Sequence, residues 1–330
     1  MLHPSEPDIV SRVDGIRAKV ARVKDSISRV IFGQDAVIEL VLVNILSGGH
    51  ALLIGVPGLA KTSLVEALGA ALGLDAKRIQ FTPDLMPSDI VGTEVLEEKD
   101  GRRTFRFVPG PVFAQLLMAD EINRASPKTQ SALLQAMQEQ QVTYAGQTYA
   151  LPAPFFVLAT QNPLEQEGTY PLPEAQLDRF LLQVDVSYPD ATAERRMLYS
   201  TTGTEDRTVQ PVLTAAEVIA AQQLVRQIPA GDSVVDAILT LVRSARPNTP
   251  EAGPRVNELV AWGPGPRASQ SLMLTVRARA LLDGRFAPSI DDVIALAKPV
   301  LRHRMALTFG ARTENVAVDE VIDSLLAKLK

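Results

Sequence analysis

The first 190 positions contain five short apolar runs, each ending in small or polar residues. The runs are "ALLIG" (51–55), "RIQFT" (78–82), "QLLMAD" (115–120), "FFVLAT" (155–160) and "RFLLQVDV" (179–186). Their nearly continuous apolar character is typical of parallel strands that are buried on both faces of a sheet. Because helix-like segments over 62–72 and 127–139 separate several of these strands, the sequence predicts a layered α/β domain over residues 31–190.

Two segments of alternating polar and apolar residues interrupt this rhythm. "VGTEVLEEKDGRRTFRFVPG" precedes the third predicted strand, and "QVTYAGQTYALPAP" precedes the fourth. Each has a turn-like centre, Lys99-Asp100-Gly101 in the first and Ala145-Gly146 in the second, which is typical of a β-hairpin. We therefore expect two hairpins inserted into the layered domain, over 92–109 and 141–154.

The rest of the chain is helical in its periodicity. Apolar residues recur at helical spacing between Ile9 and Val30, which predicts an N-terminal helix within residues 1–30. The segment 191–211 is interpreted as a linker, and the remainder, 212–330, is helical in period with breaks at "RPNTPEAGP" and "WGPGP". The predicted architecture is an α/β domain followed by an all-helical domain.

Composition limits the classes of function. The 330 residues are 46% hydrophobic, enough for a sizeable core, and the formal net charge of −5 argues against a surface built broadly for nucleic acid or anionic membrane. The absence of cysteine excludes disulfides, thiolate zinc sites and cysteine nucleophiles. The three histidines are scattered without metal-ligand spacing, and the chain begins without an apolar signal segment. We expect a cytoplasmic protein that does not insert into membranes.

The first candidate site is the loop "GVPGLAKTS", which follows one predicted strand and precedes a helix. It resembles the phosphate-binding pattern G-x-x-x-x-G-K-[ST], with alanine in place of the second glycine. The candidate binding residues are Gly55, Val56, Pro57, Gly58, Leu59, Ala60, Lys61, Thr62 and Ser63. Lysine would contact the β- and γ-phosphates and the threonine hydroxyl would bind magnesium. The extra methyl of Ala60 is expected to be tolerated because φ should be negative on entry to the helix. An ordinary Gly/Pro turn is the alternative.

A pair of carboxylates ends the third predicted strand, in "LLMADEINRA". Asp120 is predicted to hold magnesium, directly or through water, and Glu121 to polarise the attacking water. Asn162, at the end of the next strand, can orient that water or contact the γ-phosphate. The alternative for the carboxylates is a helix cap.

Two arginines complete the set of candidates. Asp178 and Arg179 come immediately before the last predicted strand, and Arg267 lies in the first turn of a helix that Pro266 opens. A cation near a helix N-terminus opposes the helix dipole, so Arg267 needs an anionic partner or solvent, and a bound phosphate would be such a partner.

Together these motifs resemble the MoxR family of AAA+ ATPases, nearly continuously from about residue 31 to residue 188 and more weakly at "GPRASQSL". The resemblance implies a P-loop NTPase fold, in which a layered αβα core with a helix-2 insert and a pre-sensor-1 insert precedes a helical lid. It also implies that alanine is usual at position 60. The implied roles are Walker A for Lys61 and Thr62, Walker B for Asp120 and Glu121, sensor 1 for Asn162, an arginine finger for a neighbouring subunit for Arg179, and sensor 2 for Arg267.

The same resemblance implies ATP and magnesium as cofactors and a homo-oligomeric ring, commonly a hexamer. It further implies chaperone-like remodelling or maturation of a protein client, often with a von Willebrand factor A domain partner. Two alternatives stay open. A nucleic-acid translocase or magnesium-chelatase-like motor would need basic hairpins, and Arg102, Arg103 and Arg106 are interspersed with acidic residues in the first hairpin. A nucleotide-binding scaffold without turnover would not need Glu121 or Arg179.

Overall fold

The computed structural model describes residues 9–99, 102–165, 167–204 and 207–329. The predicted N-terminal helix is described only from residue 9 onward. Through residue 202, the helices are α1 (Ile9–Ser28), α2 (Asp35–Ser47), α3 (Lys61–Leu72), α4 (Pro87–Val91), α5 (Pro127–Glu139), α6 (Glu174–Leu177) and α7 (Ala191–Thr202). The strands are β1 (Ala51–Ile54), β2 (Ala76–Gln80), β3 (Gly92–Lys99), β4 (Arg102–Pro109), β5 (Leu116–Asp120), β6 (Gln141–Tyr144), β7 (Gln147–Ala150), β8 (Phe156–Gln161) and β9 (Leu182–Asp185).

Five of these strands form one parallel sheet in the order β2-β5-β8-β1-β9. Strand β1 pairs with β8 on one side and with β9 on the other, and β5 lies between β2 and β8. The predicted parallel sheet is therefore confirmed. Because all five strands run in the same direction, their carboxyl ends meet at one edge, where α/β proteins usually bind ligands.

The two predicted hairpins are present as antiparallel pairs, β3 with β4 and β6 with β7. Ala145 and Gly146 form the turn of the second hairpin and both have positive φ, as its two-residue connection requires. Asp100 and Gly101 of the first predicted turn lie outside the described residues.

An aromatic cluster joins the two hairpins. Phe107 of β4 stacks on Tyr149 of β7, with ring centroids 4.2 Å apart, and also contacts Tyr144 of β6 and Phe113. Offset and edge-to-face ring pairs of this kind add stability beyond the area they bury. The inserts therefore pack on each other.

The region after residue 211 is mainly helical. Its helices are α8 (Ala215–Gln227), α9 (Asp232–Ser244), α10 (Pro254–Leu259), α11 (Pro266–Leu282), α12 (Ile290–Leu301), α13 (Phe309–Thr313) and α14 (Val318–Leu326). One antiparallel pair, β10 (Val260–Trp262) with β11 (Ala306–Leu307), corrects the expectation that this region is entirely helical. These strands are too short to show a period of two in the sequence.

The predicted linker also differs from expectation, because its first half is the helix α7. Asp190 caps this helix by accepting a hydrogen bond from the backbone N–H of Ala193 at 2.7 Å. Acidic residues are favoured at such a position, since they satisfy an otherwise unpaired donor of the first turn.

Apolar side chains are buried on both faces of the sheet, which gives the predicted three-layer arrangement. One cluster packs α5 and the segment before β5 against one face. The other cluster is continuous from α1, α2 and α3 into the C-terminal helices, so Leu42, Leu68 and Val276 belong to the same core. The C-terminal helices therefore share buried surface with the α/β region. None of the helices in the described ranges is long and apolar enough to cross a membrane.

Candidate active site

The candidate phosphate loop lies at the carboxyl edge of the sheet, between β1 and α3. It borders a cavity of about 360 Å³. The cavity brings together residues from three strand ends: Pro57, Gly58, Leu59, Ala60, Lys61, Thr62, Ser63, Asp120, Glu121 and Asn162. The helix N-terminus behind the loop points its backbone N–H groups toward this space, which favours a bound anion.

The two glycines of the loop have different physical roles. Gly58 has φ of +85°, a conformation that favours glycine. A Cβ at Gly55 would lie 2.8 Å from the backbone oxygen of Val186, so glycine is needed there for close packing on the chain that follows β9. Gly55 and Val56 lie behind the cavity, where their carbonyl groups contact Lys61.

The expectation of negative φ at Ala60 is wrong. Ala60 is the N-cap of α3 and has φ of +56° and ψ of +24°, in the left-handed region. The loop needs this conformation to reverse direction before the helix, and for a residue with a Cβ it costs roughly 1 kcal/mol. The position therefore explains why the general phosphate-loop pattern has glycine there.

Lys61 is half-buried and its ammonium is bound by its own loop. Its Nζ donates hydrogen bonds to the carbonyl oxygens of Gly55 at 2.5 Å and of Val56 at 2.9 Å. Burial lowers the pKa of Lys61 below its ordinary value, and the negative charges of Asp120 and Glu121 oppose this shift. A phosphate in the cavity would offer the ammonium a charged partner in place of two neutral carbonyls.

Asp120 ends β5 and is buried, with 13% of its side chain exposed. Its Oδ1 accepts a 2.6 Å hydrogen bond from the hydroxyl of Thr160 on β8. Its Oδ2 accepts from the guanidinium of Arg78 on β2, at 2.6 Å from Nη2 and 3.3 Å from Nε. Both neighbouring strands therefore fix the orientation of this carboxylate.

Glu121 is held by a different set of contacts. Its Oε2 accepts from Gln80 Nε2 at 2.7 Å and from Arg124 Nη1 at 3.0 Å, and its backbone N–H donates to the Thr160 hydroxyl at 2.8 Å. Its φ of +55° is unusual for a residue with a side chain. Strained conformations cluster at functional sites, and here Ala60 and Glu121 border the same cavity.

Asn162 follows β8 and is 6% exposed. Its Oδ1 accepts a hydrogen bond from the backbone N–H of Leu164 at 3.1 Å, which fixes the direction of the amide group. Because Asn162 borders the cavity that contains Glu121, its amide lies where a water molecule between phosphate and carboxylate could be oriented.

The oxygen atoms of Thr62 and Asp120 fit a magnesium ion that also binds phosphate. Both residues border the cavity, and Mg²⁺ prefers hard oxygen ligands, usually one or two carboxylates with water and phosphate oxygens. Within the described ranges, no group of three or more histidine, aspartate or glutamate side chains could hold a metal by itself. Thr62 and Asp120 thus supply oxygen ligands of the kind that binds Mg²⁺ together with phosphate and water oxygens.

Arg179 and Arg267 lie elsewhere, beside a second cavity of about 260 Å³. That cavity is also lined by Gly48, Gly49 and His50, which precede β1, whereas the phosphate loop follows β1. The four residues of β1 span about 13 Å at 3.3 Å per residue. The two arginines are therefore brought together at the opposite edge of the sheet from Lys61.

Each of these arginines has a partner within the chain. Arg179 Nη1 donates to the carbonyl oxygen of Leu134 at 2.7 Å. Arg267 is half-exposed and its Nη1 lies 3.6 Å from Asp178 Oδ2. The anionic partner that the sequence required of Arg267 is therefore a carboxylate in this structure.

A buried arginine that the sequence did not single out supports this arrangement. Arg304 is 1% exposed, and its Nε donates to Asp178 Oδ1 at 2.7 Å. Its remaining N–H groups donate to Ser271 and to carbonyl oxygens, including those of Val300 and Phe180 at 2.6 and 2.7 Å. Arg304 thus ties the segment that carries Arg179 to two C-terminal helices.

Arg78 and Gln80 were also missed. They occupy alternate positions on a predicted strand, with buried Ile79 between them, so the sequence shows that their side chains share one face. It does not show that β2 pairs with β5, which places Gln80 opposite Asp120. For Arg304, the sequence shows a charged residue next to apolar positions, which does not reveal that its side chain is buried.

Comparisons with known proteins identify the family to which this chain is similar. Residues 50–182 match the model of the ATPase family associated with various cellular activities, and residues 253–325 match an AAA lid domain. Chaperone MoxR1 of Mycobacterium tuberculosis is 42% identical over 95% of this chain and 83% of its own length. Protein MoxR of Paracoccus denitrificans is 31% identical over 97% and 98%.

A solved structure is similar over nearly the whole chain. It is the crystal structure of a Cytophaga hutchinsonii protein proposed to be an ATPase, with a TM-score of 0.90, 37% identity and 97% of both chains covered. Similarity in sequence and in fold therefore covers both the nucleotide-binding region and the helical region. The chain belongs to the MoxR family of AAA+ ATPases.

Proposed function

We propose that this protein hydrolyses ATP in a homo-oligomeric ring. In this proposal each site is assembled from two halves that lie apart in one chain. Lys61 would bind the β- and γ-phosphates and Glu121 would accept a proton from the attacking water that Asn162 orients. Thr62 and Asp120 would hold Mg²⁺, which neutralises charge that develops on the phosphate oxygens.

The observation that supports this proposal is the position of the arginines. Lys61, Asp120, Glu121 and Asn162 border one cavity, while Arg179 lies beside another at the far edge of the sheet. In the head-to-tail ring that we propose, the far edge of one subunit would lie against the cavity of the next. Arg179, with Arg267 beside it, would then stabilise charge on a phosphate bound by the neighbouring subunit.

The biological role we propose is chaperone-like remodelling or maturation of partner proteins. It rests on the similarity to Chaperone MoxR1 of Mycobacterium tuberculosis. The ring is expected to be hexameric and to act in the cytoplasm on a protein client or with a von Willebrand factor A domain partner. The exposed hairpin β3–β4, on which Phe105 is 71% exposed, is a surface that such a client could contact.

A test for a shared site mixes two inactive variants. An Arg179→Ala subunit keeps its own Lys61 and Glu121, and a Glu121→Gln subunit keeps its own Arg179. In randomly mixed equimolar rings, about a quarter of the interfaces combine the two intact halves, by the geometry of head-to-tail rings. ATP hydrolysis in the mixture should exceed the sum of the two separate variants.

Differentially tagged subunits provide the control, since co-purification reports whether mixed rings form. The Lys61→Ala variant mixed with Glu121→Gln is the matched negative pair, because both substitutions lie in the same half-site. No recovery in proven mixed rings would assign Arg179 to its own chain or to a structural role.

A nucleic-acid translocase is the second candidate. In the first hairpin Arg106 lies 2.7 Å from Glu97 and Arg103 lies 3.2 Å from Glu98, so the charges of these two arginines are paired within the hairpin. This pairing favours a protein client over a polyanion. Strong stimulation of hydrolysis by single-stranded DNA would support the translocase, and nucleotide binding without any turnover would support a scaffold.

A further inference from the structure

The two oxygens of the Asp120 carboxylate differ in how easily their hydrogen-bond partners can be replaced. Oδ1 is committed to the hydroxyl of Thr160, which is fully buried and whose oxygen also accepts the backbone N–H of Glu121. Opening that contact would leave buried polar groups without partners, which is costly. Oδ2 is bound only by the half-exposed guanidinium of Arg78 among the hydrogen bonds of the described residues.

Arg78 reaches Asp120 because β2 and β5 are adjacent and parallel. Gln80 pairs with Asp120 in register, and Arg78, two residues earlier on the same face, extends its side chain along the strand toward the carboxylate. The same guanidinium donates to Gln80 Oε1 at 2.8 Å, and Gln80 donates in turn to Glu121. One cation therefore contacts the candidate metal ligand and the side chain that holds the candidate base.

Arg78 and a magnesium ion would compete for the same oxygen. A Mg²⁺ ion or its bound water needs a free lone pair of Asp120, and Oδ2 is the oxygen whose partner can leave for solvent. Ion pairs with half-exposed partners contribute little to stability, so a divalent cation that arrives with phosphates can displace this one.

We propose that Arg78 is a positioning residue that holds Asp120 in the metal-free site and raises the Mg²⁺ concentration that nucleotide binding requires. This inference rests on the proposed function, because it concerns the same nucleotide site. Its consequence is that the site binds metal and nucleotide together, since metal alone must displace Arg78 without the help of phosphate charge.

The test is the Mg²⁺ dependence of binding of a fluorescent ADP analogue to the full chain, with Mn²⁺ binding in the presence of ADP measured by electron paramagnetic resonance as a second readout. Arg78→Gln removes the cation and keeps a polar side chain. The Mg²⁺ concentration at half-maximal binding should fall about fivefold, which is the upper range for an ion pair of this exposure.

Lys77→Gln is the matched control. Lys77 lies on the same strand, and its Nζ donates to the carbonyl oxygen of Phe113 at 3.0 Å, away from Asp120. The Lys77→Gln substitution removes one positive charge, as Arg78→Gln does, and should leave the Mg²⁺ requirement unchanged. A fall of similar size in both variants would show a general effect of net charge and would overturn the inference.

Introducing Arg78→Gln into an Asp120→Asn variant tests whether Arg78 acts through the Asp120 carboxylate. The effect of Arg78→Gln should vanish there, because the carboxylate for which the two cations compete is absent. Persistence of the shift, a higher Mg²⁺ requirement, or loss of nucleotide binding in Arg78→Gln would each overturn the inference. Absence of nucleotide binding in the unsubstituted protein would instead contradict the proposed function, so the two failures are distinguishable.

Discussion

The two edges of the parallel sheet hold their charged groups in opposite ways. At the carboxyl edge, Lys61 is bound by loop carbonyls and Asp120 by a half-exposed arginine, so each charge has a partner that a ligand can replace. At the opposite edge, Asp178 is bound by Arg304, a guanidinium that is 1% exposed and fully enclosed by hydrogen bonds. The first edge suits exchange of partners, and the second suits a fixed geometry.

This difference fits the proposed division of the site between subunits. A group that must meet a phosphate in its own chain needs freedom to change partners when the ligand binds. A group that must meet a phosphate on another chain benefits from rigid support, because its position is otherwise set only by the contact between subunits. Substitutions at the two edges should therefore have different effects.

The largest expected effect is on the rate of ATP hydrolysis, which Arg179 and Lys61 should support in different ways. Arg179→Ala should slow ATP hydrolysis by about 10³- to 10⁵-fold, as for arginine fingers in general, and leave the affinity for a fluorescent ATP analogue unchanged. Lys61→Ala should lose both, because the lysine contacts the phosphates directly. Arg243→Ala, which removes an exposed arginine paired with Glu251, is the control. Weakened ATP binding in Arg179→Ala would contradict the separate roles of the two edges.

The next effect concerns stability at the rigid edge. Arg304→Met removes a buried cation and its hydrogen bonds to Asp178 and to the carbonyl of Val300, and leaves Asp178 with the half-exposed Arg267 at 3.6 Å, so the free energy of unfolding should fall by about 3 to 5 kcal/mol. Arg78→Met at the other edge removes a half-exposed cation and should cost less than about 1 kcal/mol. Urea denaturation of both variants measures the difference. Equal losses would show that the two edges are equally rigid.

A smaller effect depends on pH. Burial lowers the pKa of His50 to about 4. Its Nδ1 accepts the backbone N–H of Val157 and its Nε2 contacts the Met137 carbonyl, so only the neutral ring fits both. The unfolded chain binds the proton more readily, with a pKa near 6.5. The stability that His50 contributes is therefore full above pH 6.5 and is lost as pH falls toward 4, by about 3 kcal/mol.

The contribution of His50 can be measured from the free energy of unfolding of the protein and of its His50→Gln variant at pH 7 and pH 4.5. The loss of stability between the two pH values should be smaller in the variant by about 2 to 3 kcal/mol. His303, whose pKa burial also lowers, should account for part of the dependence that remains. An identical pH dependence in both proteins would contradict the assignment to His50.

The smallest effect tests strain at the exchangeable edge. Ala60→Gly relieves a left-handed conformation and should raise the free energy of unfolding by up to about 1 kcal/mol. Ala70→Gly, in the interior of α3, should have the opposite sign and lower it by about 0.5 to 1 kcal/mol. Thermal unfolding compares the two. Destabilisation by both substitutions would mean that Ala60 bears no strain.

Much of the fold could be predicted from the chain because its signals are local. Each apolar run corresponds to a strand, and the hairpins form where the alternation and turns predicted them. The ends of strands were less certain, since they depend on neighbours. The last run was predicted over 179–186, but β9 begins at Leu182. The backbone N–H groups of Arg179 and Phe180 donate to carbonyl oxygens three residues earlier, so the chain is still turning there before it enters the sheet.

The residues of the candidate site also differ in whether a local pattern or a distant contact defines them. The phosphate loop and the carboxylate pair are short motifs, so their types and order are visible in the sequence. Arg78 and Arg304 act through pairing of distant segments, 42 and 126 residues from their carboxylate partners, and no local pattern reports such contacts. The sign of φ at Ala60 was mispredicted because the turn is set by the whole loop.

The aromatic contact between the hairpins has a mechanical consequence. The first hairpin leads into β5, which ends at Asp120, and the second leads into β8, which is followed by Asn162. Because the ring of Phe107 stacks on that of Tyr149, movement of one hairpin should also move the other. We therefore expect a client that displaces one hairpin to disturb both the carboxylate of Asp120 and the amide of Asn162.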